Sequence, residues 1–268
     1  MVTEPSLPVG VFDSGVGGLT VLNEVRKQLP NENIIYLAHT ACLPIGVKPP
    51  REIAEIVVRA AHFFAGRRVK AMIVACNSAT SYGLEAVAGK FYFPILGVIV
   101  PGARGAVKAS RNLRIGVIGT EATVKSGAYE KAILNMAPGA EVFPRAVQIF
   151  SRLVEDDAIS DPSTYGLIRE GLSAFEHSEI DTLVLGCTHY PPLIPIISDI
   201  LGQGVVLVNP ACETVRQLAS TLARTNLLNS KKESVSYRFC VTEDLARFIR
   251  VGNKISLCTI SDPEEVKL

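Results

Sequence analysis

The residues best suited to chemistry in this chain are two cysteines. Cys76 lies in Ala75-Cys76-Asn77-Ser78-Ala79-Thr80 and Cys187 in Gly186-Cys187-Thr188-His189-Tyr190-Pro191, each closing a short apolar, strand-like run and opening into a small polar turn. A thiol at the carboxyl end of a strand sits where open α/β sheets bind small ligands, and the N–H groups of a following helix favour its thiolate. Two thiols in matched settings suit a reaction that takes a proton from one face of a carbon and returns one to the other. A lone cysteine is more often an apolar filler, and Cys42, Cys212, Cys240 and Cys258 fit that reading. The pair stands apart because its setting repeats. Lys70-Ala71-Met72-Ile73-Val74-Ala75-Cys76-Asn77 and Asp181-Thr182-Leu183-Val184-Leu185-Gly186-Cys187-Thr188 align without a gap, 111 residues apart.

A second pair of segments, Val9-Gly10-Val11-Phe12-Asp13-Ser14 and Ile115-Gly116-Val117-Ile118-Gly119-Thr120, keeps nearly the same offset. Both pairs point to an internal duplication of domain size. Two similar halves facing each other bring their thiols to opposite sides of one cleft.

Around the thiols stand short polar side chains. Asp13-Ser14-Gly15-Val16-Gly17-Gly18 ends the first strand and precedes a helix beginning near Leu19, and such glycines let backbone N–H groups approach an anion. The turn lacks the three-glycine dinucleotide spacing and the Lys-Ser/Thr ending of a phosphate loop, so a small carboxylate fits it better than a pyrophosphate. Asp13 or Ser14 could equally be a helix cap. Asn77, Ser78, Thr80, Thr120, Thr123 and Thr188 also follow strands, where they either satisfy local backbone donors or converge on a ligand with several oxygens. A zwitterionic amino acid would use them all. Cys187, His189 and Cys76 could be metal ligands, but the chain has neither a close cysteine pair nor a paired-histidine helix, and no metal is expected. A thiol hydrolase built on Cys187 and His189 leaves Cys76 without a role.

The elements that must position these residues follow from the apolar pattern. Buried-strand runs cover Val9 to Phe12, Asn33 to Leu37, Ala71 to Ala75, Ile95 to Val98, Ile115 to Ile118, Thr182 to Leu185 and Val205 to Val208. Between them Ile53, Ile56, Val57, Ala60, Ala61 and Phe64 recur at helical spacing, and Thr164 to Phe175 and Val215 to Leu222 do so with weaker contrast. The pattern predicts an α/β fold of two pseudo-symmetric, doubly wound lobes with mostly parallel sheets and a central cleft. Pro94 and Pro101 bracket a strand at the crossing between lobes and Asn209-Pro210 marks the return. The lobes are then residues 1–98 plus 211–268, and 99–210.

Composition narrows the partners. A 268-residue chain that is 48% hydrophobic can fill two cores. A net charge of +1 with interspersed signs provides no footprint for nucleic acid. Met1 to Pro8 has no signal-peptide pattern, and the apolar stretch Tyr92 to Val100 is short and broken by Pro94 and Gly97, so no membrane association is expected. Six cysteines without the close spacings of a disulfide scaffold read as reduced thiols in the cytoplasm.

Taken together, the run Val9 to Leu19, the two cysteine motifs, and Ile115 to Thr120 with the following Ser126-Gly127-Ala128-Tyr129 resemble the bacterial glutamate racemases. The resemblance covers most of the chain, and the cysteine motifs are its specific part. It implies no cofactor, conversion of L-glutamate to D-glutamate for peptidoglycan, and commonly a homodimer. Position by position, Cys76 and Cys187 match the acid/base thiols, and Asp13, His189 and Glu155 match the residues that assist them. Ser14, Asn77, Ser78, Thr120, Thr123 and Thr188 match substrate-holding positions, as do Pro44, Ile45 and Gly46 in the loop after the second strand. Ser78 stands where the family usually has Thr. The loop, His39-Thr40-Ala41-Cys42-Leu43-Pro44-Ile45-Gly46, departs further: the family's acid is His39, its basic or amide position is Cys42, and its tyrosine is Ile45. An isoleucine side chain cannot donate a hydrogen bond, and losing one donor costs about 1 to 3 kcal/mol of binding. Relatives acting on aspartate, a hydantoin or a malonate, or a regulatory descendant that binds a protein partner, share this outline. Two retained thiols favour racemisation over decarboxylation.

Overall fold

The computed structural model describes residues 4–230 and 235–268. In chain order, β1 (Val9–Asp13), α1 (Leu19–Gln28), β2 (Ile34–Ala38), α2 (Pro50–Gly66), β3 (Ala71–Val74), α3 (Asn77–Val87) and β4 (Ile95–Gly97) build most of one layer. Next come α4 (Ile99–Ala109), β5 (Arg114–Gly119), α5 (Glu121–Lys125), α6 (Ala128–Met136), β6 (Glu141–Ala146), α7 (Gln148–Glu155), α8 (Thr164–Leu172), β7 (Thr182–Gly186), α9 (Ile194–Leu201) and β8 (Val206–Val208). The chain closes with α10 (Pro210–Arg224), β9 (Tyr237–Val241), α11 (Leu245–Ile255) and β10 (Glu264–Glu265).

Two all-parallel sheets result, in the orders β10-β9-β2-β1-β3-β4 and β6-β5-β7-β8. Their central strands, β1 and β7 among them, are buried at every residue because helices cover both faces, which is why they read as continuous apolar runs. The last two strands return to the first sheet, with β9 pairing β2 from Ile34 opposite Tyr237 to Ala38 opposite Val241. The edge strand β6 carries Pro144 and is largely exposed, so it lacks the apolar run that marks the others.

The same arrangement occurs twice around the cysteines. β3 lies beside β1 and precedes Cys76, and β7 lies beside β5 and precedes Cys187. Strand order reverses at β1/β3 and at β5/β7, and ligands bind outside the carboxyl ends of strands at such switch points. In one respect the two halves differ from expectation. Cys76 is the N-cap of α3, but Cys187 opens a turn that leads into a short 3-10 segment, Pro191–Leu193, before α9 begins. The amino-end effect of a helix therefore applies to Cys76 alone.

Candidate active site

A cavity of about 490 Å³ lies at the carboxyl ends of both sheets, and both cysteines line it. Cys76 is buried, and its sulfur takes hydrogen bonds from the Ala79 N–H and from Ser14 Oγ, the latter at 3.8 Å. Burial, and then the nearby Asp13 charge, push its thiol well above the ordinary range, more than those hydrogen bonds lower it. Cys76 therefore rests as a protonated thiol.

Cys187 has a different partner. Its Sγ is 3.6 Å from His189 Nδ1, and the opposite ring nitrogen, Nε2, is 2.6 Å from Glu155 Oε1. Burial alone lowers the basicity of His189, but its hydrogen bonds to Cys187 and Glu155 outweigh burial and raise it well above the usual histidine range. Burial pulls Glu155 the other way from its partners, and the bond to His189, its charge and Arg247 hold the carboxyl below its ordinary value. The pair is thus an imidazolium facing a carboxylate. An imidazolium at this position is the counter-charge that a sulfur anion formed on Cys187 needs.

Asp13 ends β1 and is fully buried behind the cavity wall. Its Oδ1 accepts from the Gly15 N–H at 2.9 Å, and its Oδ2 accepts from Thr188 Oγ1 at 3.1 Å. Burial raises its pKa, against the lowering effects of the His189 charge and those hydrogen bonds. Asp13 consequently joins the end of β1 to the turn after β7.

The glycine-rich turn serves close packing. A Cβ on Gly17 would stand 2.4 Å from Thr188 Oγ1 and 2.7 Å from His189 Nδ1, and one on Gly18 would stand 2.4 Å from Asp13 Cβ. The anion this turn meets is the chain's own Glu155, which accepts the Val16 N–H and lies 2.9 Å from the Cβ position of Gly15.

The short polar side chains largely converge. Ser78 Oγ is 2.8 Å from Thr120 Oγ1 and 3.3 Å from Thr123 Oγ1, and the two threonine hydroxyls are 3.1 Å apart. Asn77 Oδ1 accepts from Tyr129 Oη at 2.7 Å. Asn77, Thr188, His189 and Glu155 line the cavity with the hydroxyl cluster, and Pro44, Ile45 and Gly46 close one side of it. Thr80 does not line it, because its hydroxyl donates to Val74 O at 2.8 Å.

Two of the altered loop positions turn away from the cavity. His39 Nδ1 is 3.1 Å from Thr242 Oγ1, and burial lowers its pKa to about 4. Cys42 donates to His39 O at 2.9 Å, and burial pushes its thiol up to about 12. Of the substituted loop residues, Ile45 alone faces the cavity.

Gln148, Ser151, Arg152, Asp156 and Arg247 also line the cavity, and the sequence reading missed them. Four lie on or beside α7 and the fifth on α11, away from any glycine or cysteine motif that could have flagged them. Gln148 Oε1 is buried without a hydrogen-bond partner among the described residues, facing the Cβ position of Gly46 at 3.1 Å. Among the described residues no group of three or more His, Cys, Asp or Glu could hold a metal ion, and no helix is long and apolar enough to cross a membrane.

The chain is similar to known racemases. The family model described as Asp/Glu/Hydantoin racemase matches residues 17–218. A glutamate racemase of Geobacter metallireducens is 42% identical over 264 residues, 98% of either chain. One from Enterococcus faecalis is 43% identical over 214 residues, 80% of this chain and 78% of that protein. The crystal structure of the Francisella tularensis glutamate racemase in complex with D-glutamate superposes with a TM-score of 0.91 at 33% identity, covering 98% of each chain.

Proposed function

The chain belongs to the Asp/Glu/Hydantoin racemase family, and from that premise we propose that it interconverts L- and D-glutamate without a cofactor, with Cys76 and Cys187 as paired acid and base. The observation that carries this reading is that both thiols line one cavity from equivalent strand ends, each with its own polar partner.

In one direction the Cys187 thiolate takes the α-proton, forming an S–H bond as the C–H bond breaks and leaving the electron pair on carbon. The Cys76 thiol then delivers its proton to the opposite face, and the product has inverted configuration. The reverse reaction exchanges the roles. Counter-charge at Cys187 comes from His189, while Asp13 and burial keep Cys76 protonated and ready to donate. The α-carbanion is the costly species. Fixed donors at Ser14, Asn77, Ser78, Thr120, Thr123 and Thr188 hold the substrate carboxylates and lower that cost by preorganised hydrogen bonding.

The relatives named as glutamate racemases and the D-glutamate complex support glutamate as substrate. With this activity the chain supplies D-glutamate for peptidoglycan in the cytoplasm, as a homodimer whose protomers divide at 1–98 plus 211–268 and 99–210. The test is incubation with each glutamate enantiomer in heavy water, following α-deuterium incorporation and optical rotation. Racemisation by the wild type that disappears in both Cys76→Ser and Cys187→Ser is expected. Racemisation that survives either substitution, or exchange with aspartate alone, overturns the reading.

A further inference from the structure

Helix α11 buries Phe248, Val251 and Gly252 against the first sheet's side of the molecule. Arg247 and Lys254, seven residues apart, share another of its faces. Both reach the acidic run Glu155-Asp156-Asp157 at the end of α7, which belongs to the second sheet's layer. A helix carboxyl end is already partially negative, so three acids there need cations from elsewhere. Arg247 Nη2 is 3.1 Å from Asp156 Oδ1 and 3.5 Å from Glu155 Oε2, and Lys254 pairs with Asp157.

These contacts differ in what they lead to. Asp156 and Asp157 end in solvent, whereas Glu155 continues to His189 at 2.6 Å and from there to the Cys187 sulfur at 3.6 Å. Glu155 also accepts the Val16 N–H, so two of its partners come from across the cleft. Cys76 takes its hydrogen bonds from Ser14 and Ala79 instead. Because Arg247 is partly exposed, its ion pairs add little to stability. Its contribution is placement.

We propose that Arg247 is a positioning residue for the Cys187 half of the reaction: reaching across the cleft it fixes Glu155, Glu155 fixes His189, and His189 meets Cys187. The chain of contacts ends at Cys187 and does not include Cys76, whose hydrogen bonds come from Ser14 and Ala79. The inference rests on the two-thiol reading given above.

The experiment compares wild type with Arg247→Met, Arg247→Lys and Lys254→Met, measuring kcat, KM and α-deuterium isotope effects in both directions. Arg247→Met should lower kcat by about 10- to 100-fold, the size of effect that small misplacements produce, with KM nearly unchanged. Its substrate isotope effect should rise in the direction that deprotonates at Cys187 and fall in the other. Arg247→Lys should recover most of the rate, and Lys254→Met should match wild type. Equal changes of isotope effect in both directions, a wild-type rate in Arg247→Met, or the same loss in Lys254→Met overturns the proposal. Wild type that exchanges no α-proton from either glutamate overturns the two-thiol reading instead, so the two failures are distinguishable.

Discussion

Ser78 and Thr120 meet across the cleft with their hydroxyl oxygens 2.8 Å apart, one at the start of α3 and the other the N-cap of α5. Thr120 also caps its own helix, accepting the Thr123 N–H. The cluster thereby joins the two layers at the wall of the cavity.

Ser78→Ala removes one hydroxyl and leaves Thr120 and Thr123 bonded to each other at 3.1 Å. KM for either glutamate enantiomer should rise roughly tenfold, in keeping with a lost hydrogen bond of about 1 to 2 kcal/mol, while kcat changes little. Ser78→Thr keeps the hydroxyl and should stay near wild type. Steady-state kinetics in both directions checks this; an unchanged KM in Ser78→Ala removes the serine from substrate binding.

Gly17→Ala tests packing at the thiol's partner. The added methyl enters within 2.4 Å of Thr188 Oγ1 and 2.7 Å of His189 Nδ1, so one or both must move. Overpacking of this kind costs about 1 to 3 kcal/mol of stability. The larger effect should be on kcat, about 100-fold for a displacement of about an ångström at a reacting group. Thermal denaturation and kinetics on the same sample separate the two effects.

Sequence and structure agree where burial is two-sided. The strands that end at Asp13 and lead into Cys76 and Cys187 are packed on both faces, and that environment demands the unbroken apolar runs that make them legible. β6 is exposed and β9 begins with partly exposed residues, so neither has a comparable signature. In the site, the glycine-rich turn was visible but ambiguous. Glycine is needed equally to approach an anion and to let neighbouring side chains approach the backbone, and only the second need can be read from the contacts of Gly17 and Gly18. Arg247 was not legible at all, since its relation to Glu155 arises only when α11 packs beside α7.

The Glu155–His189 pair carries a pH signature. Glu155 is held below 4.5 in the folded protein, so its contribution is complete above pH 4.5 and is lost as pH falls through the folded value. His189 is raised above 6.5, so its contribution is complete below pH 6.5 and is lost as pH rises through the folded value. The Tm difference between wild type and Glu155→Gln should therefore be largest between pH 4.5 and 6.5 and should narrow on either side. A difference that is flat from pH 4 to pH 9 contradicts the ionic form of the pair.

Away from the site, Lys70 and Glu32 form an ion pair that is 0% and 1% exposed. Lys70 Nζ also donates to Leu227 O at 2.9 Å, and Glu32 Oε1 accepts the Asn229 N–H at 2.9 Å, so the pair ties the entry to β3 to the segment after α10. Burial lowers the pKa of Lys70 against the raising effect of Glu32, which makes the carboxylate its main support. Lys70→Met leaves a carboxylate buried without its counter-charge and should cost about 3 to 5 kcal/mol, whereas Lys70→Met combined with Glu32→Leu should recover much of that loss. Urea unfolding of both variants decides between an ionic and a packing role. If the double variant is as unstable as the single one, the hydrogen bonds to Leu227 and Asn229, more than the charge pair, hold this part of the first layer together.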